Sequence, residues 1–191
     1  MVTSTYSIIS FSKTYATNIH LYLFEQIKII QILQMIGVVM FDIDYTLTCP
    51  KTPNANCSDY MIDCLTLCNN NNIQIAINTA RAKQDNILHS IPANIQCLLY
   101  NVNILYTRNP EYGNVEEDKF KKMQYHSKKY NIPLQKIILI DDKLQTCEYI
   151  WKNGGKCIHV KKENGITKTE YDELKIFIEN LKSQDKKLLG K

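Results

Sequence analysis

The sequence predicts an α/β domain built on a central parallel sheet, and three observations carry that reading. Short apolar runs at 38–41, 73–78, 136–140 and 157–160 alternate with stretches of helical periodicity. Two of these runs lead directly into crowded acids, Asp42 with Asp44 and Asp141 with Asp142. The connections between them are too short for a large second domain. Uninterrupted apolar runs fit strands buried on both faces, although periodicity alone does not separate a short run from a buried helix segment. Strands alternating with helices imply right-handed crossovers, with ligands bound at the carboxyl edge of the sheet.

Composition sets limits on partners. The 191 residues, 45% hydrophobic and 22% charged, suffice for one such domain with a sizeable core. The net charge of +4 is almost wholly lysine, since Arg81 and Arg108 are the only arginines. Phosphate clamps favour the bidentate arginine fork, so the charge indicates only that an anionic partner is not repelled. Seven cysteines (Cys49, Cys57, Cys64, Cys68, Cys97, Cys147 and Cys157) include no CxxC pair, and several lie in apolar segments. Neither a disulfide framework nor a zinc site is expected, and a reduced, intracellular and cytoplasmic setting is preferred.

Residues 1–34 differ from the rest. They are Ser/Thr-rich to about Thr17, then apolar but broken by Glu25, Lys28 and spaced glutamines. Those charges argue against a spanning helix, and no integral membrane association is expected. A transit peptide, an amphipathic helix packed on the domain, and Met35 as the natural start all stay open for this extension. The domain proper is read over 35–182. After the first strand, Pro50 and Pro53 mark a loop over 49–57, and Ser58 caps a helix from Asp59 to about Cys68 that the asparagines at 69–72 stop. The second strand at 73–78 delivers Thr79, Ala80 and Arg81 to the sheet edge, and a short helix to about Ser90 follows.

A third strand is read at 95–100, with a further short strand at 104–107. Residues 116–130 are helical, with Phe120, Met123 and Tyr130 on one side and lysines on the other, ending before Pro133. The strand at 136–140 runs into Asp141 and Asp142. A helix over 144–152, a Gly154-Gly155 stop and the strand at 157–160 complete the alternation. Thr167 and Glu170 form a capping box that opens a last helix with Tyr171, Leu174, Phe177, Ile178 and Leu181 as its apolar stripe, and a flexible tail is expected over 183–191.

The polar residues at the strand ends define the candidate chemistry. Side chains alternate along a strand, so Asp42 and Asp44 are expected on one face. Carboxylates so close repel each other, and a bound cation, a raised pKa, or both relieve the repulsion. Thr79 and Arg81 leave the second strand, Asp141 and Asp142 leave the strand at 136–140, and Lys119 or Lys122 lies near the start of the intervening helix. Acids with a hydroxyl, an ammonium and room for a cation suit phosphoryl transfer, where positioning and charge stabilisation matter most.

With these residues in view, the stretch from Ile36 to Val160 resembles the haloacid dehalogenase superfamily of phosphohydrolases in all four motifs. The resemblance implies a three-layer Rossmann-like fold without a large cap, Mg²⁺ as cofactor and a phosphorylated substrate. In the DxDxT motif, Asp42-Ile43-Asp44-Tyr45-Thr46, it makes Asp42 the nucleophile that becomes an aspartyl-phosphate and a metal ligand. Asp44 becomes the general acid/base, its backbone carbonyl also helping to hold the metal. That duty requires a carboxyl raised above its ordinary value of about 3.9 by acidic neighbours and burial. Thr79 is the hydroxyl that binds the transferring phosphoryl.

Arg81 matches the arginine of a Thr-Gly-Arg variant and is a candidate for substrate phosphate, or equally a partner for a helix-end carboxylate. Lys119, 22 positions before Asp141, is preferred over Lys122 as the phosphate-neutralising lysine. Asp142 is the metal ligand of the fourth motif, and Asp141 shares ligation or holds a metal-bound water. Residues 141–148, continuing to Gly154 and Val160, are similar to the phosphatase domain of bacteriophage polynucleotide kinase-phosphatase, which implies a nucleotide or nucleic-acid 3′-phosphate as substrate. No kinase P-loop pattern accompanies it. Tyr45 departs from the small or polar residue common at its position, and either narrows the mouth of the site, offers a face for a base, or packs on a loop.

Overall fold

A computed structural model describes residues 36–48, 59–82, 91–99, 105–162 and 165–189. The chain divides into two units, Met1–Met35 and Ile36–Lys191, and every described residue belongs to the second. The expectations for 1–34, for the loop at 49–57 and for a helix ending near Ser90 therefore lie outside the described residues.

Strands β1 (Gly37–Phe41), β2 (Ile73–Asn78), β3 (Leu105–Tyr106), β4 (Ile137–Asp141) and β5 (Lys156–His159) form one parallel sheet in the order β3-β2-β1-β4-β5. Helices α1 (Asp59–Asn70), α2 (Ala93–Leu98), α3 (Val115–Tyr130), α4 (Leu144–Lys152) and α5 (Lys168–Leu189) complete the alternation. The central strands are apolar throughout because both faces are covered. Val39, Phe41, Ile75, Ile77, Ile138 and Ile140 share a core with Met61, Cys64, Leu65 and Cys68 of α1 and Leu174, Phe177, Ile178 and Leu181 of α5.

The opposite face belongs to α3 and α4. Asn78, on the same side as Met40, donates its side-chain amide to the Lys119 carbonyl at 3.0 Å, and Phe120 meets Tyr149 of α4 edge-on at 6.1 Å. The result is the expected layered α/β domain. Each fully buried Leu, Ile or Phe in it is worth about 1.5–3 kcal/mol.

Local signals set the helix ends. Asn114 caps α3 by accepting the Glu117 N–H at 2.8 Å, and Asn131 ends it in the left-handed region at φ 53°. Glu170 accepts the Thr167 N–H at 2.8 Å, which is the expected capping box of α5.

Two expectations need correction. The run at 95–100 is not a strand: α2 occupies Ala93–Leu98, opened by Pro92 and burying Ile95. Its two adjacent leucines and tyrosine suggest a strand, but its described residues have no partner at the sheet, and the third strand is the short Leu105–Tyr106 within the stretch read at 104–107. Helix α5 runs from Lys168 to Leu189, into the stretch read as a flexible tail. Finally, β1 ends at Phe41, so strand alternation does not govern Asp44. No helix among the described residues is long and apolar enough to cross a membrane. The described cysteines Cys64, Cys68, Cys97, Cys147 and Cys157 are free thiols.

Candidate active site

The register of the sheet brings the strand ends together. Phe41 lies beside Ile77 of β2 and Ile140 of β4, so Asp42, Thr79 and Asp141 emerge at one edge. The Asp42 N–H donates to the Ile140 carbonyl at 2.9 Å, and the Val160 N–H to the Asp141 carbonyl at 2.8 Å, fixing the edge across three strands. Asp42, Asp141 and Asp142 are all buried, and one carboxylate oxygen from each lies within 4.8 Å of the others.

One ammonium is shared between two of these acids. Lys119 Nζ stands 2.5 Å from Asp141 Oδ2 and 3.0 Å from Asp42 Oδ1, with all three side chains sealed from water. Burial alone lowers the lysine's pKa, but the attraction of Asp42 and Asp141 outweighs it and the ammonium is held more firmly than usual. Burial pushes Asp42 up to about 6, with Lys119 pulling it down and Asp141 pushing it further up. Asp142 is raised too, by burial first and then by Asp141, against the pull of Lys162 and Lys119.

The acids are not equivalent. Both Asp141 oxygens are committed to protein donors, Oδ2 to Lys119 and Oδ1 to the Lys143 N–H at 2.9 Å at the start of α4. Both Asp142 oxygens are buried with no hydrogen-bond partner among the described residues, as is Asp42 Oδ1, whose approach to Lys119 misses hydrogen-bond geometry. Buried carboxylate oxygens without donors are costly, and an oxygen-seeking divalent cation satisfies them. The donor set fits Mg²⁺: Asp42 and Asp142 would hold it, while Asp141 chiefly orients Lys119.

Asp44 stands apart from this cluster. After β1 the chain turns sharply over Ile43–Leu47, burying Ile43, Thr46 and Leu47 and turning Asp44 and Tyr45 outward. The turn closes through the Thr48 N–H and hydroxyl, which both donate to the Ile43 carbonyl at 2.9 and 3.1 Å. Asp44's side chain is 46% exposed and forked by Arg81, Nε at 3.0 Å and Nη2 at 2.5 Å. The expectation that burial and acidic neighbours surround Asp44 is therefore not met; its neighbour is an arginine. Tyr45 adopts φ 61°, an uncommon conformation for a bulky residue, and its ring lies 4.9 Å from the Lys162 ammonium.

Thr79 is fully buried, its hydroxyl accepting the Arg81 N–H at 3.2 Å and its own N–H donating to the Tyr106 carbonyl at 2.9 Å. Lys122 is not in the acid cluster. It pairs with buried Asp118 at 2.7 Å and donates to the Thr79 carbonyl at 3.3 Å. Asp118 also meets Arg108 at 3.4 Å and accepts the Asn109 N–H at 3.1 Å, while the Arg108 N–H donates to the Arg81 carbonyl at 2.8 Å. This second ion network holds the Thr79–Arg81 turn from behind.

No family model matches this sequence, and no curated protein does either. Solved structures with a similar chain path include an uncharacterized protein from Corynebacterium glutamicum, at 12% identity and a TM-score of 0.46, covering 76% of this chain and 94% of that one. A haloacid dehalogenase-like hydrolase from Streptococcus pneumoniae, at 12% identity and 0.43, covers 72% and 90%. The haloacid dehalogenase domain of effector Lem4 from Legionella pneumophila, at 16% and 0.42, covers 72% and 90%. The fold class stands on this chain's own sheet, and the chemistry on its own side chains.

Sequence reasoning missed Lys162, whose Nζ is 3.4 Å from Asp142 Oδ2, and the Asp118–Arg108 support. Lys162 lies just past β5, at the same sheet edge as the other site residues, and that position was its signal. Asp118 and Arg108 carry no comparable mark, because their meeting depends on the fold of the segment between them.

Proposed function

We propose that this protein is a Mg²⁺-dependent phosphohydrolase that works through an aspartyl-phosphate on Asp42. The observation that carries the reading is the buried acid cluster with Lys119 between Asp42 and Asp141 and with the Asp142 oxygens left unsatisfied. Mg²⁺ bound there supplies positive charge for the phosphoryl oxygens and lowers the cost of an ionised Asp42. A carboxylate oxygen of Asp42 attacks phosphorus in line, and the bond from phosphorus to the leaving oxygen breaks. Asp44 protonates that oxygen, then takes a proton from the water that attacks the phosphorus of the aspartyl-phosphate, breaking its bond to Asp42 and freeing phosphate. Lys119 holds Asp42 in place, and the Thr79 hydroxyl binds a phosphoryl oxygen.

The Arg81–Asp44 pair bears on this scheme. The Arg81 fork occupies both carboxylate oxygens of Asp44, so Asp44 takes up its duty as the substrate's phosphate draws Arg81 away. The substrate class is a phosphomonoester, and a nucleotide or polynucleotide 3′-phosphate fits a mouth framed by Arg81, Lys162 and the Tyr45 ring.

The test is a hydrolysis panel with Mg²⁺ over an aryl phosphate, nucleoside monophosphates, a 3′-phosphorylated oligonucleotide and a phosphopeptide, with Asp42→Asn as control. Phosphate release abolished by Asp42→Asn is expected. A wild type inert on the whole panel, or an active Asp42→Asn, overturns the reading.

A further inference from the structure

Lys162 belongs to none of the steps above, yet it sits where the site opens. Its ammonium lies 3.4 Å from Asp142 Oδ2 and 4.9 Å from the Tyr45 ring centre. The carboxylate it approaches is 1% exposed while the lysine side chain is 49% exposed, so the ammonium reaches a buried oxygen from the solvent side. It is the sole cation within ion-pair distance of Asp142 among the described residues. Tyr45, turned outward by its left-handed backbone, provides a second seat for the same ammonium.

Charge decides which group gives way when a metal ion arrives. Three clustered carboxylates face two ammoniums, Lys119 and Lys162, leaving one net negative charge. A divalent ion at Asp142 reverses that sign, and two cations then contend for the same carboxylate. Lys119 is locked by Asp42 and Asp141 in the interior, whereas Lys162 has solvent on one side and a ring beneath it. The long flexible lysine stem makes Lys162 the one that moves. It moves towards the outward-turned Tyr45 ring at the mouth, where the part of the substrate beyond the buried reacting phosphoryl group lies.

We infer that Lys162, seated on Tyr45, is a specificity-determining residue: displaced from Asp142 by the divalent cation, its ammonium meets a second phosphate on the leaving group of the substrate. The inference rests on the phosphohydrolase reading and narrows it to phosphomonoesters that carry a neighbouring phosphate within the reach of a lysine. A 3′-phosphorylated nucleotide chain, with its adjoining phosphodiester, is such a substrate.

Two measurements test it on the full-length protein. The first is the ratio of kcat/KM for a nucleoside 3′,5′-bisphosphate and a 3′-phosphorylated dinucleotide to that for a nucleoside 3′-monophosphate, which has the base but no second phosphate. Lys162→Met is expected to lower this ratio at least about tenfold, Lys162→Arg to restore most of it, and Tyr45→Leu to fall between. The second is calorimetric titration with Mg²⁺ alone, where Lys162→Met is expected to bind several-fold more tightly than wild type because a competing cation has gone.

A ratio that Lys162→Met leaves unchanged overturns the inference while the phosphohydrolase reading stands. Mg²⁺ affinity that is unchanged or weaker overturns the displacement on which it depends. A wild type inert on all three substrates removes the phosphohydrolase reading, and this inference with it.

Discussion

Asp42 sits in a place that resists anions. Burial, reinforced by Asp141 and only partly countered by Lys119, raises its carboxyl from 3.8 to about 6 in the metal-free protein. The folded state therefore binds this proton more tightly than the unfolded chain does. The contribution of Asp42 to stability is most favourable below about pH 4 and is lost as the pH rises towards 6, by about 3 kcal/mol at most. With metal chelated, Asp42→Asn is accordingly more stable than wild type at pH 7, by about 1–3 kcal/mol, and the two converge near pH 4. Urea unfolding at the two pH values measures this, and a wild type at least as stable as the variant at pH 7 contradicts it. The same proton competes with Mg²⁺ for the carboxylate. Affinity for Mg²⁺ is expected to fall about tenfold between pH 7 and pH 5, as a calorimetric titration at each pH records.

At the scale of elements, helix α3 does two separate jobs from adjacent residues. Lys119 serves the acid cluster, whereas Asp118 and Lys122 brace the turn after β2 through the Thr79 carbonyl and Arg108. Removing one partner of a buried ion pair leaves the other uncompensated. Asp118→Asn is thus expected to cost about 3 kcal/mol, because Lys122 keeps its charge in a site where burial already lowers its pKa. Lys122→Met costs less, since Asp118 retains Arg108 and the Asn109 N–H. Chemical denaturation of both variants checks the order, and a Lys122→Met change costing more than Asp118→Asn reverses it. The entry to β1 is equally constrained. A Cβ at Gly37 lies 2.9 Å from the Lys136 carbonyl oxygen and runs into Leu181 of α5. Gly37→Ala is expected to destabilise by about 1–3 kcal/mol, read as a lowered urea midpoint, since the backbone oxygen does not yield as a side-chain tip does.

Over the whole molecule, the strand order β3-β2-β1-β4-β5 reverses its direction of growth between β1 and β4. Ligands of open α/β sheets collect at such a switch point, and here Asp42 comes from one flank of it and Asp141 with Asp142 from the other. Much of this was legible in the sequence because a buried parallel strand leaves a strong local trace: an apolar run that stops abruptly at a polar group. Asp42, Thr79, Asp141 and Asp142 all stand at such stops. Lys119 was reached only through the family resemblance, which implies a lysine at that spacing before Asp141. The conformation of Asp44 and Tyr45 was not legible, because the turn at Ile43–Leu47 overrides strand alternation through burial of Ile43 and Leu47. Helix α2 reads as a strand because six residues of mixed apolar character fit either structure until their packing is known. Metal binding to the folded state alone raises stability by about 2.7 kcal/mol at a concentration 100 times Kd, which for a chain of this size corresponds to roughly 5–10 °C in Tm. Wild type is expected to show that rise with Mg²⁺ and to lose it on chelation. Asp142→Asn, which removes a ligand whose oxygens have no other hydrogen-bond partner among the described residues, abolishes the shift. Asp44→Asn keeps more than half of it, because the Asp44 carboxylate is turned towards Arg81 and its backbone carbonyl is untouched. Thermal melts of the three proteins decide the matter: an equal loss in the two variants places the Asp44 carboxylate in the metal site and contradicts the separation of duties between the exposed acid and the buried ones.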